Sequence, residues 1–127
     1  MIVIDASAAL SALLNEGAAR ELIGSEQLHA PHLIDSEIAS GLRRMVLGRE
    51  LPVEAGGSAL IAWGKVAVTR YPLDGLLERI WQLRENLSAY DAGYVALTES
   101  LGSTLLTANG RLARASGARC PITVVPR

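Results

Sequence analysis

The chain has 127 residues, 50% hydrophobic and 20% charged, with 12 basic against 13 acidic side chains and a formal net charge of −1. That balance excludes general disorder and any whole-molecule attraction for polyanions, while the length suffices to bury one core without disulfides or metal. The lack of Phe argues against an aromatic stacking platform for bases, and the single cysteine, Cys120, excludes an intramolecular disulfide and a cysteine-based metal centre.

In chain order, the apolar run Ile2-Val3-Ile4 predicts a strand, followed by helices from about Ser7 to Leu14 and, after the breaker Gly17, from Ala18 to Gly24. A short strand at Leu28 to Ala30 is broken by Pro31. The spacing of Leu33, Ile38, Leu42, Met45 and Val46 then predicts a helix to Leu47, stopped by Gly48. Val53 to Trp63 reads as a helix and Val66 to Thr69 as a strand ended by Tyr71-Pro72. Leu73, Leu76, Leu77, Ile80, Trp81 and Leu83 recur at helical spacing, with Asp74 at the acidic start, which predicts one helix over 73–83 and a mainly core role for its apolar side. Tyr90 to Leu101 follows as a helix with Ser88 as cap and Gly102 as stop. Thr104 to Thr107 is a buried strand, Asn109 to Ala115 a short helix and Ile122 to Val125 a last strand. This alternation predicts a single three-layer α/β/α domain over 1–127 with a mainly parallel central sheet of four to five strands. No secretory signal is present and no apolar run reaches the roughly 18 residues that span a bilayer, so the expected setting is cytoplasmic, without membrane contact.

Four polar residues stand where parallel α/β sheets place their ligand sites: Asp5 at the end of the first strand, Glu37 and Asp91 near helix starts, and Asn109 after a late strand. Each has a purely structural reading. Asp5 or Ser7 would cap the first helix, Asp35 or Ser36 the helix holding Glu37, and Ser88-Ala-Tyr-Asp91 has the form of a capping box. Convergence on one sheet edge changes the balance. Two carboxylates ~4 Å apart repel by about 4 kcal/mol at an effective dielectric near 20, and Lys65, the single lysine, lies far along the chain. A hard divalent cation, Mg²⁺ or Mn²⁺, is the economical partner for such oxygens.

The segments Ile2-Val-Ile-Asp5-Ala-Ser7, Leu33-Ile-Asp-Ser-Glu37, Ala89-Tyr-Asp91-Ala-Gly-Tyr-Val-Ala-Leu97 and Leu105-Leu-Thr107-Ala-Asn109-Gly-Arg-Leu-Ala113 resemble, in order and spacing, the signature segments of PIN-domain nucleases, VapC-type toxins above all. The resemblance spans essentially the whole chain. It implies a Mg²⁺- or Mn²⁺-dependent endoribonuclease of a type II toxin–antitoxin pair, a homodimer held by a small antitoxin, with DNA reached only through that partner. By position, Asp5 and Asp91 would be metal ligands, Glu37 a ligand directly or through water, and Ser7 and Thr107 would orient carboxylates. Asn109 departs from the acid common there, which lowers the site's charge and favours one metal over two. The alternative is a catalytically weak or silent module that binds RNA or a protein without cleavage.

Arg43, Arg44 and Arg49 follow Glu37, and Arg111 and Arg114 follow Asn109. Arg43, Arg44 and Arg111 are the candidate grips for RNA phosphates. Two other α/β classes are disfavoured: a phospho-accepting receiver domain would need a lysine after a late strand, and a haloacid-dehalogenase-type phosphatase would need an Asp where this chain has Ser7.

Overall fold

A computed structural model describes residues 1–127. The strands are β1 (Ile2–Ile4), β2 (Leu28–Pro31), β3 (Val68–Tyr71), β4 (Thr104–Thr107) and β5 (Ile122–Val124). The helices are α1 (Ala6–Leu14), α2 (Ala18–Ser25), α3 (Ile34–Leu47), α4 (Val53–Gly64), α5 (Leu77–Gln82), α6 (Ala89–Leu101) and α7 (Gly110–Arg114), with a 3-10 turn at Asp74–Leu76. All five strands are parallel, in the order β3-β2-β1-β4-β5. Helices α1 to α4 pack on one another and α5 packs on α6, which lies along β1, β2 and β4.

Why these residues take these places follows from burial. Ile2, Val3 and Ile4 are all buried, as a central parallel strand covered on both faces requires, and so are Leu105 and Leu106 of β4. Helix α6 is buried from Ala92 to Thr98 without a break, so its small residues Ala92, Gly93 and Ala96 let it lie close to the sheet. Gly93 has Leu73 Cδ1 2.8 Å from where a Cβ would stand. No helix is long and apolar enough to cross a membrane.

The strand order positions the site. From β1 the chain moves outward to β2 and β3, then returns to add β4 and β5 on the other side, so the order reverses between β1 and β4. At such a reversal the connections leave in opposite directions and open a crevice at the carboxyl ends of the two strands. Asp5 follows β1 there, and Ala108 and Asn109 follow β4.

Several local expectations are corrected. The third strand lies two residues later than predicted, pairing Leu28 with Val68 and Pro31 with Tyr71, because Lys65 and Val66 still close the end of α4 by donating to Ala62 and Trp63. Pro31 does not break β2 but ends it. The segment 73–83 is not one helix but a 3-10 turn followed by the six-residue α5, with Gly75 inside the turn where helix continuation is costly. Its apolar side is divided: Leu73, Leu76 and Ile80 pack half-buried against the core and Leu83 is fully buried, as predicted, whereas Leu77 and Trp81 are 60% and 68% exposed. Helix α3 starts without a side-chain cap. Asp35 instead accepts from Trp63 Nε1 at 2.8 Å and from Arg70 Nε and Nη2 at 2.8 and 2.9 Å, clipping α3 to α4 and β3.

Candidate active site

The site is built around Asp5, which ends β1 and starts α1 at once. Its N–H donates to the Leu106 carbonyl of β4, and its Oδ1 accepts from the Ala8 N–H at 2.9 Å, a helix cap. The capping reading of Asp5 is therefore correct, yet it does not exhaust the residue. Oδ1 also accepts from Ser7 Oγ at 2.7 Å, and Oδ2 accepts from Thr107 Oγ1 at 2.5 Å. Thr107 Oγ1 in turn accepts from the Asn109 N–H at 3.0 Å, and Ser7 Oγ accepts from the Ala108 N–H at 2.9 Å. The expected supporting role of Ser7 and Thr107 has this geometry: two hydroxyls stitch the end of β4 to the carboxylate that ends β1.

Glu37 sits in the first turn of α3 and Asp91 in the first turn of α6. Ser88 caps α6 through the Asp91 N–H at 3.2 Å, as its sequence pattern predicts. Glu37 Oε1 accepts from the hydroxyl of Tyr94 at 2.8 Å. Tyr94, one helical turn beyond Asp91 and 2% exposed, is the contributor that sequence reading passed over; its i+3 spacing from Asp91 is the signal that places both on one face. Asn109 caps α7, its Oδ1 accepting from the Arg111 N–H at 3.1 Å.

Electrostatics tie the three acids together. Burial pushes the Asp5 carboxyl above its usual range, against the pull of its hydrogen bonds, with the Asp91 charge pushing the same way. Glu37 is raised by burial and by the charges of Asp5 and Asp91, against the Tyr94 hydrogen bond. Asp91 is raised by burial and relieved in part by Ser88 and by the charge of Arg111. Burial and the same acids push the Tyr94 phenol well above its ordinary value, so it stays a donor. None of the three acids has an ion-pair partner: the salt bridges are Met1 to Glu26, Arg70 to Asp35 and Arg79 to Glu99.

These acids sense one another without forming a closed cage, for no three His, Cys, Asp or Glu side chains stand close enough to grasp a metal ion by themselves. The donor set is open and oxygen-only. Asp5 has three of its roughly four lone-pair sites filled, whereas Glu37 Oε2 accepts no side-chain or backbone hydrogen bond and Asp91 has only Ser88 beside it as a hydroxyl partner. Such a set fits a small hard cation that keeps several waters better than one demanding a full protein shell. Of the candidate arginines, Arg44 lines a neighbouring cleft between α1 and α3 that Ser7 also lines but none of the three acids does, Arg111 lies near enough to Asp91 to act on its charge, and Arg43 is exposed on α3 without a hydrogen-bond partner.

The PIN domain family model matches residues 2–118. Ribonuclease VapC9 of Mycobacterium tuberculosis is 62% identical over 127 residues, covering 100% of both chains. Among solved structures, PAE2754 from Pyrobaculum aerophilum matches with a TM-score of 0.73 and 24% identity over 95% of this chain and 81% of that one. VapBC2 from Rickettsia felis, solved bound to a DNA fragment from its promoter, matches with a TM-score of 0.69 and 12% identity over 97% and 98%. A parallel sheet whose reversal point gathers Asp5, Glu37 and Asp91, together with full-length identity at this level, places the chain in the PIN domain family, among the VapC-type ribonucleases.

Proposed function

We infer that the protein is a Mg²⁺- or Mn²⁺-dependent endoribonuclease, the toxin of a type II toxin–antitoxin pair. The observation that carries this is the gathering of Asp5, Glu37 and Asp91 at the sheet's reversal point with no cationic side chain paired to any of them. Asp5 and Asp91 would hold the cation, with Glu37 joining directly or through water. When bound, the cation offsets charge on the attacked phosphate and eases deprotonation of water.

The chain's own residues do the rest. Ser7 and Thr107 fix the plane of the Asp5 carboxylate, so it presents its remaining lone pair in one direction. Tyr94 holds Glu37 Oε1, which leaves Oε2 to accept a proton from the attacking water, and burial raises its affinity for that proton. Asn109 adds an amide rather than a charge, so a single cation suffices. The identity to VapC9 supports the ribonuclease reading, and the likeness to VapBC2 supports a small antitoxin partner through which DNA is reached. The exposed Leu77 and Trp81 of α5 supply apolar area for a homodimer.

Cleavage of a structured RNA by the purified protein, with and without EDTA, tests the proposal. Cleavage should require Mg²⁺ or Mn²⁺ and vanish in Asp5→Asn and Asp91→Asn proteins whose circular dichroism is native. Absence of cleavage across structured and unstructured RNAs would point to a silent binding module.

A further inference from the structure

Residues 125–127 are fastened beside the site rather than frayed. The Val125 N–H donates to the Thr107 carbonyl at 2.8 Å, Ser11 Oγ donates to the Pro126 carbonyl at 2.6 Å, and Arg127 Nε donates to the Ala108 carbonyl at 3.4 Å. Val125 is buried among the core residues. Segments at this position in a domain are ordered only when tied down, and here the ties run to β4 and α1, the two elements that meet at Asp5. Their effect is to hold one cation at the strand end that carries Thr107 and Asn109.

Arg127 lines a cleft of about 430 Å³ together with Ser7, Leu10, Leu14, Arg44 and Glu50. Helix α3 packs tightly on α1 at Gly41, where an added Cβ would stand 2.6 Å from Leu10 Cδ1, and Leu10 lines the cleft. Neither Arg44 nor Arg127 has a carboxylate partner, and the two outnumber Glu50. Ser7 joins cleft and acids: its hydroxyl bonds Asp5 and its side chain forms part of the cleft wall. A polyanion brought to three carboxylates on a molecule of net charge −1 needs cations close to the point of attack, and these two line one cleft without an ion pair.

We propose that Arg127 and Arg44 form a phosphate subsite, gripping the backbone of single-stranded RNA next to the phosphodiester held at Asp5. This rests on the ribonuclease reading for its substrate, but its test does not depend on cleavage. Binding of a labelled single-stranded RNA 20-mer to the full chain is measured in EDTA across a series of NaCl concentrations. The slope of log affinity against log salt should flatten by about 0.7 for Arg127→Ala or Arg44→Ala and by about 1.4 for the pair, the value for one and two single-strand phosphate contacts. Arg127→Lys should restore the slope, since it keeps the charge while losing the fixed Nε bond to Ala108. Arg84→Ala, which removes a cation stacked on Trp81 away from the cleft, should leave the slope unchanged.

In Mg²⁺, a cleaving protein should lose kcat/KM in the pair variant mainly through KM. A wild-type slope in the pair variant, or an equal loss in Arg84→Ala, overturns the subsite. An unchanged RNA slope with weakened binding of a polyglutamate peptide also overturns it, assigning the cleft to an acidic protein segment. Loss of slope in a protein that shows no Mg²⁺-dependent cleavage upholds the subsite and refutes the nuclease reading alone.

Discussion

Replacing Thr107 with Val is the sharpest probe of how the site is held, because the two side chains have nearly the same shape and Thr107 is 0% exposed. The hydroxyl donates to Asp5 Oδ2 at 2.5 Å, accepts from the Asn109 N–H at 3.0 Å and lies 3.2 Å from Ser7 Oγ. A hydrogen bond to a charged group contributes about 1.5–3 kcal/mol and a neutral one about 1 kcal/mol, so the loss should total about 3 kcal/mol. With an unfolding entropy of ~2.1 cal/mol/K per residue, about 0.27 kcal/mol/K for the chain, Tm should fall by about 11 °C. Thr107→Ser should recover most of it. Thermal unfolding followed by circular dichroism reads the Tm, and an Mg²⁺ titration of the same samples reads the site: the Val protein should need several-fold more Mg²⁺ for half of its stabilisation, because the Asp5 carboxylate is no longer fixed in plane. A Tm within 2 °C of wild type, with unchanged Mg²⁺ response, would refute the claim that Thr107 organises Asp5.

Because Asp5, Glu37 and Asp91 hold protons more tightly folded than unfolded, their contribution is most favourable below the ordinary carboxylate range and is lost as pH rises through their raised values. Asp35, held low chiefly by Arg70, acts oppositely, losing stability as pH falls. In EDTA, then, Asp5→Asn should gain on wild type in Tm as pH rises above the ordinary carboxylate range, and Mg²⁺ should stabilise wild type more at high than at low pH; parallel Tm curves would contradict the raised Asp5 carboxyl. Tyr94→Phe frees Glu37 Oε1 at a half-buried position and should cost about 1 kcal/mol in urea unfolding, while lowering kcat rather than raising KM and shifting the pH-rate profile. An unshifted profile would leave Tyr94 a packing residue. Asn109→Asp keeps the α7 cap and adds a charge, so it should enlarge the Mg²⁺-induced rise in Tm; no enlargement would put residue 109 outside the metal's reach.

Much of the site was legible because its signals are local. A carboxylate that ends an apolar run and precedes a helix start, as at Asp5, is written in consecutive residues, and so is the Ser88 cap of α6. The acids at Glu37 and Asp91 follow helix-start signals and lie in the first turns of α3 and α6, and a parallel sheet requires such helix starts to share one edge. Position along β3 was less legible: nothing within Val66 to Tyr71 says where α4 stops closing on itself, and the strand begins only after Lys65 and Val66 have bonded back. The apolar period of 73–83 was real, but period says which residues share a face and not whether another layer covers it, so Trp81 lies in the open.

By itself, then, the sequence determined the alternation of strands and helices, the parallel α/β class and the positions of Asp5, Glu37 and Asp91 at strand and helix ends, since periodicity and capping act over a few residues. Only the tertiary structure decided which groups meet across the chain. Thr107 reaches Asp5 over 102 positions, Tyr94 reaches Glu37 over 57, and Arg70 reaches Asp35 over 35. Arg127 was invisible as a functional residue for the same reason. Its place against Ala108, in the cleft that Ser7 also lines, comes from β5 adding to the edge of β4, a pairing set by the strand order and by no feature of the residues around it.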